Sequence, residues 1–469
     1  MTDPFDLVIR GGTVVTAQTT ARCDVGIRHG IIAALGESLG PAVEELDARG
    51  RLVLPGGVDA HCHIDQVSST GLTTADDFYS GGVSAACGGT TTIIPFAAQH
   101  RGQSLVQVVR DYEARAASKA FIDYAFHLIV SDPTPAVLND ELPQLIREGH
   151  PSLKIYLTYD ALRLTDRQVL DVLQVARREG ALTLFHAEHH EAIAWRIEQL
   201  LRDGKTAPKW HAHARPESAE REATGRACFL AETIDAPILI VHVSAGAPLD
   251  EIRRARARGV HVLAETCPQY LVFTRDDLDK PGFEGAKWMF SPPARDAAAQ
   301  AALWAGLADG TIDLFSSDHA PYRYDDVQGK KAHGEHAPFT KVPNGVPSLE
   351  LRLPLLFSEG VRRGRISLER FVALTATNPA RIYGLDPRKG SIVVGADADV
   401  VLWDPDREVT VTRDILHDRM DYTPFEGMRL TGWPVTTIAR GTLLWHEGTV
   451  RGAAGRGALL RRPATGPAR

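Results

Sequence analysis

The sequence predicts an α/β fold in which a (β/α)₈ TIM barrel is joined to a small discontinuous β-sandwich domain made from both chain ends. The central part of the chain alternates eight short apolar runs with helical segments, which is the pattern of a parallel barrel. Both chain ends instead carry short strand-like runs separated by turns. No GxGxxG or GxxxxGKS/T loop follows any run, which disfavours the alternative of an open nucleotide-binding sheet.

The two chain ends are predicted to pair with each other. The N-terminal part, residues 1–55, contains short apolar runs and turns. The C-terminal part, residues 386–450, has the same character in GSIVVGADADVVLWD and VTTIARGTLLWHEG. We therefore expect a catalytic barrel over residues 56–385, placed between two halves of one β-sandwich, and a basic tail over residues 451–469.

The eight apolar runs of the central part have the length of buried barrel strands. In chain order they are GVDAHCH, TTTIIPF, YAFHLIV, LKIYLTY, LTLFHAE, PILIVHVS, HVLAETC and DLFSSDH. The segments between them carry helix signals. Thr165 and Gln168 form a capping box for a helix that is predicted to end at Gly180, and Ser104 with Gln107 marks the start of another.

Charge and cysteine usage restrict the class of function. The 469 residues carry a formal net charge of -7, and no basic stripe with interleaved aromatic residues is present, so nucleic acid is not an expected partner. No apolar run approaches the roughly 20 residues of a membrane span, and the first residues, MTDPFDLVIRGG, do not resemble a signal peptide. The five scattered cysteines indicate free thiols. We expect a cytoplasmic protein.

Metal-binding side chains follow several of the predicted strands. His61 and His63 have the period-two spacing that places both imidazoles on one side of a strand. An HxH pair alone also occurs in satisfied core positions. Here His186, His242 and Asp318 stand at the ends of the fifth, sixth and eighth strands, where barrel enzymes place catalytic groups. This donor set fits a catalytic site for zinc or a similar divalent ion.

Lys154 stands on the fourth predicted strand, near the same mouth of the barrel. A solvated lysine is the simpler interpretation of this residue taken alone. An ammonium beside two divalent cations would be strongly repelled, however. A deprotonated lysine that adds carbon dioxide becomes an anionic carbamate, whose two oxygens can bridge two metal ions.

In its motifs, their order and nearly its whole length, the chain resembles the dihydropyrimidinase and hydantoinase family of cyclic amidohydrolases, which belongs to the amidohydrolase superfamily. The ligand order HxH, Lys, His, His, Asp is that of the superfamily's binuclear centres. The resemblance to the narrower family is carried by GGVDAHCHID, AACGGTTTIIPF, SLKIYLTY, LFHAE, IVHVS, LAETCPQYL, FSPPAR, SSDHAPY and KVPNGVPSLE.

This resemblance implies a metal-dependent hydrolase that opens a dihydropyrimidine or 5-substituted hydantoin ring to an N-carbamoyl amino acid. It implies two divalent ions, zinc being expected. One would be held by His61, His63 and Asp318, the other by His186 and His242, with carboxylated Lys154 as the bridge. Asp318 would be the proton carrier in the attack of a metal-activated water.

The same resemblance assigns substrate contacts. Tyr159 would donate its hydroxyl to the developing oxyanion, and Ser291 and Asn344 would fix the cyclic amide. Spacing alone gives each of these residues a simpler interpretation, as a rim aromatic, a turn residue before prolines and a tight turn. The family also implies a homotetramer, although a dimer is an alternative, and the tail is either a mobile end or an arm on a neighbouring subunit.

Some positions depart from the family pattern. Glu188-His189-His190 replaces the usual Glu-Asn-Gly, and the two histidines either meet a substrate substituent or begin the next helix. Asp65 would repel a substrate carboxylate, which disfavours dihydroorotase. Allantoinase and other cyclic ureide or imide hydrolases remain alternatives, as does a non-catalytic scaffold, although all six ligand positions are filled. Cys62 is expected to be a buried thiol.

Overall fold

The computed structural model describes residues 4–68 and 71–464. Within these residues the strands form two sheets of nine strands each. The strands are β1 (Phe5–Val15), β2 (Thr20–Arg28), β3 (Ile31–Gly36), β4 (Ala42–Asp47), β5 (Leu52–Pro55), β6 (Gly57–Cys62), β7 (Thr90–Ala98), β8 (Asp123–Tyr124), β9 (His127–Ile129), β10 (Ser152–Tyr156), β11 (Leu182–His186), β12 (Ile238–Ile240), β13 (Val262–Thr266), β14 (Leu314–Phe315), β15 (Val400–Thr410), β16 (Arg429–Ala439), β17 (Thr442–His446) and β18 (Thr449–Val450).

The chain ends form one mixed sheet with the strand order β18-β17-β16-β15-β5-β1-β2-β3, and β4 lies beside β1. The antiparallel pairing of β5 with β15 joins the two ends, with Leu54 opposite Val401. Apolar side chains from both ends share one buried cluster, which includes Ile9, Val25 and Ile438. The prediction that the ends build a common β-rich unit is therefore confirmed.

The central part forms the predicted parallel barrel, in the order β6-β7-β9-β10-β11-β12-β13-β14. The third predicted run is divided into the short strands β8 and β9. The barrel is completed by segments that follow the last strand: Asp318 N donates to His61 O at 2.8 Å, and His63 N donates to His319 O at 2.7 Å. This contact places the ends of β6 and β14 side by side at the carboxyl mouth.

Helices cover the outside of the barrel. The capping box of Thr165 and Gln168 is present, Gly180 ends that helix with a φ of 75°, and Ser104 accepts from Gln107 N as predicted. In the described part of the chain, no helix has both the length and the apolar character needed to cross a membrane. The helices are α1 (Ser80–Cys87), α2 (Leu105–Ala117), α3 (Leu142–Arg147), α4 (Asp166–Glu179), α5 (His190–Arg202), α6 (Trp210–Ala214), α7 (Glu217–Ile234), α8 (Gly246–Ala257), α9 (Pro268–Val272), α10 (Ala297–Asp309), α11 (Arg352–Leu356), α12 (Leu368–Val372) and α13 (Asn378–Ile382).

The barrel and the end sheet are joined at the base by a buried ion cluster. Lys389 Nζ lies 2.8 Å from Asp123 of β8, 2.9 Å from Asp397 and 2.8 Å from Asp399, which stands just before β15. Although burial opposes it, the three carboxylates raise the pKa of Lys389 above its ordinary value. This cluster fixes the sheet to the end of the barrel that is opposite the carboxyl mouth.

The described part of the C-terminal tail packs against its own barrel. Leu459 forms a bridge with Tyr124, and Arg462 donates to Phe126 O at 2.5 Å and to Ser152 Oγ at 2.9 Å. Residues 451–464 of the tail therefore lie against the barrel base of their own chain. Residues 465–469 of the predicted tail lie outside the described residues.

Candidate active site

All six predicted metal ligands lie together at the carboxyl mouth of the barrel. His61 is part of β6, Lys154 part of β10, and His186 is the last residue of β11. The other three, His63, His242 and Asp318, lie one, two and three residues beyond the ends of β6, β12 and β14. The rings of His61 and His186 lie 5.4 and 4.5 Å from the ring of His242.

One group of ligands is already closely spaced. Nε2 of His61 and Nε2 of His63 lie 3.1 and 3.3 Å from Oδ1 of Asp318. Single donor atoms of these three residues all lie within 4.8 Å of one another. Although burial opposes it, the two imidazoles hold the pKa of Asp318 well below its ordinary range. The group can therefore offer an anionic oxygen and two nitrogens to one cation.

Hydrogen bonds select which nitrogen each imidazole presents. Nδ1 of His61 donates to Glu265 at 2.6 Å, and Nδ1 of His63 donates to the amide oxygen of Gln66 at 2.8 Å. Nε2 of His186 donates to Glu188 at 2.7 Å. These contacts leave Nε2 of the first two rings and Nδ1 of the third as the ring nitrogens that the outer partners do not use. Fixing the tautomer in this way is what outer partners do for metal-binding histidines.

His242 is held by its backbone more than by its side chain. Its φ is 41°, and its N–H donates to Glu265 at 3.2 Å. Nδ1 of the ring is buried without a hydrogen-bond partner among the described residues. Burial and the neighbouring His186 keep the pKa of His242 well below its ordinary value, so the ring stays neutral and able to bind a cation.

Left-handed backbone conformations recur around the site. Tyr159 and Asp318 adopt φ values of 70° and 49°, in the region that side-chain-bearing residues rarely occupy. Such conformations cost about 1–3 kcal/mol each, and they occur mostly where the surrounding structure imposes them at functional positions. The backbone thus turns these side chains toward the mouth at some expense of stability.

Lys154 is buried and lacks a counter-charge in direct contact. It is 1% exposed, and within the described residues its ammonium forms no hydrogen bond or ion pair. The faces of Phe96 and Tyr156 lie beside it, with ring centres 5.2 and 5.4 Å from Nζ, and Glu265 and Asp318 act on its charge from beyond ion-pair distance. Burial lowers the pKa of Lys154 to about 8. A substantial fraction of the amine is therefore unprotonated at mildly alkaline pH, and this form is nucleophilic.

Tyr159 reaches the same mouth from the loop after β10. Its ring lies 5.2 Å from the ring of His186 and under the guanidinium of Arg215 at 5.1 Å. Glu188 binds that guanidinium at 2.7 Å. Burial raises the pKa of Tyr159, even though Arg215 opposes the shift. The phenol therefore stays protonated and can act as a hydrogen-bond donor.

Ser291 and Asn344 lie on two segments that run beside the mouth. The hydroxyl of Ser291 lies 3.2 Å from Nε2 of His211. Oδ1 of Asn344 is buried without a hydrogen-bond partner among the described residues. An unsatisfied buried acceptor is costly, and an N–H of a bound ligand would satisfy it.

The segment that carries Asn344 requires a glycine at the next position. Gly345 has a φ of 141°, and an added Cβ would lie 2.4 Å from the Cβ of Ala320. Ala320 N also donates to Val346 O at 3.1 Å. The segment is thus packed directly against the chain that follows Asp318.

Comparison with known proteins agrees with this geometry. The amidohydrolase family matches residues 52–444. The D-hydantoinase of Rhizobium radiobacter is 44% identical over 459 residues, which cover 98% of this chain and 99% of that protein. A D-hydantoinase structure superposes with a TM-score of 0.95 at 43% identity, over 98% of this chain and 100% of the other. The dihydropyrimidinase of Brevibacillus agri gives a TM-score of 0.94 at 42% identity, over 97% and 98%.

The chain belongs to the hydantoinase and dihydropyrimidinase group of the amidohydrolase family. The match covers the end sheet as well as the barrel, so the relation extends over both units. The resemblance found from the sequence motifs is confirmed.

Several residues that shape this hydantoinase-type site were not singled out from the sequence. They are Gln66, Arg215 and Glu265, which orient site residues, and His211, which contacts Ser291. Glu265 offered a signal, because it is a carboxylate in an otherwise apolar strand run. The others lie in loops or in α6 and its cap, where no periodicity indicates the direction of a side chain.

The positions that depart from the family pattern have structural explanations. Nδ1 of His189 accepts from Ala192 N and caps α5, of which His190 is the first residue, as in the simpler interpretation. Asp65 pairs with Lys119 at 3.2 Å, so its charge is compensated and the argument from it against an anionic substrate loses force. Cys62 is buried in the apolar core as expected.

Proposed function

We propose that this protein is a binuclear-metal hydrolase that opens the cyclic amide of a dihydropyrimidine or a 5-substituted hydantoin to give an N-carbamoyl amino acid. The observation that carries the proposal is the convergence of four imidazoles, one carboxylate and one unpaired buried lysine at the barrel mouth. Among the described residues Lys154 differs from the other two buried lysines, because Lys389 contacts three carboxylates and Lys330 donates to three backbone carbonyls.

The residues fit two divalent cations, and zinc is the ion we propose. His61, His63 and Asp318 would hold one cation, and His186 and His242 the other. The donor set is rich in nitrogen and oxygen and has no thiolate, because Cys62 is turned into the core and burial raises its pKa. This composition is that of catalytic rather than structural zinc sites.

Lys154 would become the ligand between the two cations after it is carboxylated. The lone pair of the neutral amine attacks the carbon of CO₂, one N–C bond forms, and one proton is released to solvent. The product is an anion, which removes the repulsion that an ammonium would suffer beside two cations. Burial that lowers the pKa of Lys154 to about 8 supports this step, because it increases the neutral fraction.

When bound, two divalent cations would lower the pKa of water and polarise the amide carbonyl. Asp318 takes a proton from the attacking water and returns it to the ring nitrogen as the C–N bond breaks. Its low pKa keeps it ionised before attack. The protonated hydroxyl of Tyr159 donates to the oxygen on which negative charge develops.

Ser291 and Asn344 would hold the amide edge of the ring. The unsatisfied Oδ1 of Asn344 would accept from a ring N–H, and the hydroxyl of Ser291 can donate or accept beside Tyr159. A site that pairs with both the N–H and the C=O of a ring amide discriminates against rings that lack one of these two groups. We further propose a preference for D-enantiomers, because the D-hydantoinase of Rhizobium radiobacter is 44% identical to this chain, whereas the L-hydantoinase of Arthrobacter aurescens is 29% identical, also over 98% of it.

We also propose that the enzyme works as a homotetramer in the cytoplasm. All five cysteines are free, as expected of a reducing compartment. Light scattering after size-exclusion chromatography measures the assembly, and a mass of about one or two chains would reject the tetramer.

The experiment that tests the function is a substrate panel. The protein is reconstituted with zinc and bicarbonate, and kcat/KM is measured for dihydrouracil, D- and L-5-substituted hydantoins, allantoin and a cyclic imide. We expect the highest values for a hydantoin or dihydrouracil, and loss of turnover in His61→Ala and Lys154→Ala. Preference for allantoin would reassign the ring, and no turnover of any ring by the metal-loaded protein would reject the proposal.

A further inference from the structure

A second buried lysine near the mouth has no carboxylate partner but uses all its donors. Lys330 is fully buried, and its ammonium donates to three backbone carbonyls: Met289 O at 3.0 Å, Pro343 O at 2.8 Å and Gly345 O at 2.7 Å. An ammonium has three N–H donors, so the hydrogen-bonding capacity of this group is filled by main-chain oxygens.

The three carbonyls belong to the two segments that carry the proposed ring contacts. Met289 lies two residues before Ser291, while Pro343 and Gly345 stand on either side of Asn344. Gly345 N also donates to Met289 O at 2.9 Å, so the segments touch at this point. Lys330 therefore joins the two segments through hydrogen bonds to the main chain of both.

Burying the charge of Lys330 between two loops costs free energy, because the ammonium leaves water. Burial alone lowers the pKa of Lys330 to about 7, and no acidic side chain opposes this shift. The nearby titratable group is His211, which burial and Arg215 keep neutral by lowering its pKa to about 3. The three carbonyl dipoles are therefore the main groups that stabilise this ammonium.

The two segments differ in how they are held. The Ser291 segment has a second anchor, because Nε2 of His211 donates to Phe290 O at 2.9 Å and contacts the hydroxyl of Ser291 at 3.2 Å. The Asn344 segment is also anchored twice, by the hydrogen bonds from Gly345 N to Met289 O and from Ala320 N to Val346 O. Lys330, however, holds the Asn344 segment through the two carbonyls that flank Asn344, and the Ser291 segment through Met289 O alone. Loss of the ammonium would thus release the Asn344 segment more than the Ser291 segment.

We propose that Lys330 is a positioning residue that holds Asn344 at a fixed distance from Ser291 and so sets how tightly the ring is bound. It does not touch the reacting atoms. The inference rests on the proposed function, because it assumes that Ser291 and Asn344 bind the ring. Each ammonium hydrogen bond also polarises a peptide group, which strengthens the N–H donors of Asn344 and Val346.

The test compares Lys330→Met, which keeps the length of the side chain and removes all donors, with Lys331→Met. The neighbouring Lys331 pairs with Asp325 and Glu335 instead and serves as the matched control. For Lys330→Met we expect KM to rise by about tenfold or more, with kcat changed by less than about threefold, because ring binding is lost in ground and transition states alike. Calorimetric affinity for the N-carbamoyl product should fall by a similar factor. Lys331→Met should match the unmodified protein in both measurements.

A double-mutant cycle identifies the segment through which Lys330 acts. Adding Asn344→Ala to Lys330→Met should raise KM little further, whereas Ser291→Ala should add nearly its full effect. Unchanged KM and product affinity in a folded Lys330→Met protein, or full additivity with Asn344→Ala, would overturn the inference while the proposed function stood.

Should Lys330→Met fail to fold, Lys330→Gln carries the test, because its amide retains two N–H donors. We expect an intermediate rise in KM for this variant, and an unchanged KM would again overturn the inference. Failure of the unmodified protein to open any ring would instead reject the proposed function.

Discussion

Two buried lysines stand at opposite ends of the barrel and have opposite surroundings. Lys389 at the base contacts three carboxylates at 2.8 to 2.9 Å, whereas Lys154 at the mouth faces two aromatic rings and no carboxylate in contact. Both are 1% exposed. The pKa of Lys389 is raised by its partners, while burial lowers that of Lys154 to about 8.

The difference separates a structural charge from a reactive one. Three carboxylates keep Lys389 protonated, so it can only serve as an ion that joins the barrel to the end sheet. At Lys154, burial outweighs the attraction of Glu265 and Asp318 for the charged form, which makes its amine available for reaction with CO₂. Equal burial therefore leads to different chemistry at the base and at the mouth of the barrel.

The largest effect is expected for activity when the mouth lysine is lost. Lys154→Met should lower kcat/KM on the preferred ring by at least about a thousandfold, or about 4 kcal/mol of transition-state stabilisation, because the ligand between the cations is removed. Steady-state kinetics after metal loading measure this effect. Retention of more than a tenth of the activity would mean that Lys154 is not a ligand.

Loss of the base lysine should instead affect stability. Lys389→Met removes the cation shared by three buried carboxylates, of which Asp123 and Asp397 keep Arg440 and Arg388 as partners, and should lower the free energy of unfolding by about 3–5 kcal/mol. Urea unfolding measures the change, and kcat of the folded fraction should stay within about twofold of the unmodified value. The stabilisation by Lys389 is fully present below its unfolded pKa of about 10.4 and is lost as pH rises through its higher folded pKa. Equal stability of the variant would show that the ion cluster contributes nothing net.

In protein free of metal and bicarbonate, substitution of the mouth lysine, Lys154, should instead stabilise the fold. Lys154→Met removes a buried, unpaired charge and should raise the free energy of unfolding at pH 7 by on the order of 3 kcal/mol. Because the folded pKa is depressed, the unmodified protein should gain stability as pH rises from about 8 to about 10.4, and the advantage of the variant should vanish there. Chelated samples unfolded in urea across this range provide the test, and a destabilised variant at pH 7 would contradict it.

A smaller effect is expected at the carboxylate that orients His61. Glu265→Gln keeps the shape of the side chain but weakens the acceptor for Nδ1 of His61, so metal affinity should fall about 10- to 100-fold. Competition with a chromogenic chelator measures the affinity. Gln66→Ala is a comparison at His63, and an unchanged affinity in both variants would show that the ring nitrogens are fixed by other means.

Periodicity predicted the barrel and the pairing of the chain ends, and the places where strands end predicted four histidines and Asp318 at the mouth. Lys154 was assigned to the site by the family resemblance. His61 and His63 share one side of β6 as the period-two rule requires. The capped helix α4 was equally predictable, since its signals lie within a few neighbouring residues.

Contacts between distant parts of the chain were not predictable in this way. Lys330 is about 40 residues from Met289 in sequence, and its three carbonyl partners leave no side-chain pattern. The left-handed conformations of His242 and Asp318 were not predictable either, because these residue types adopt a positive φ at only a minority of their positions. Tail residue Arg462 reaches the barrel base through tertiary contacts alone.

The most direct test of the central claim is to look for the carbamate on Lys154. The chelated protein is reconstituted with zinc and ¹³C-bicarbonate at pH 8, and the ¹³C NMR spectrum is recorded together with the metal content. We predict one carbamate signal per chain, accompanied by two zinc ions, that is absent in Lys154→Met and still present in Lys389→Met. Two bound zinc ions without a carbamate signal, or a signal that persists in Lys154→Met, would contradict the account.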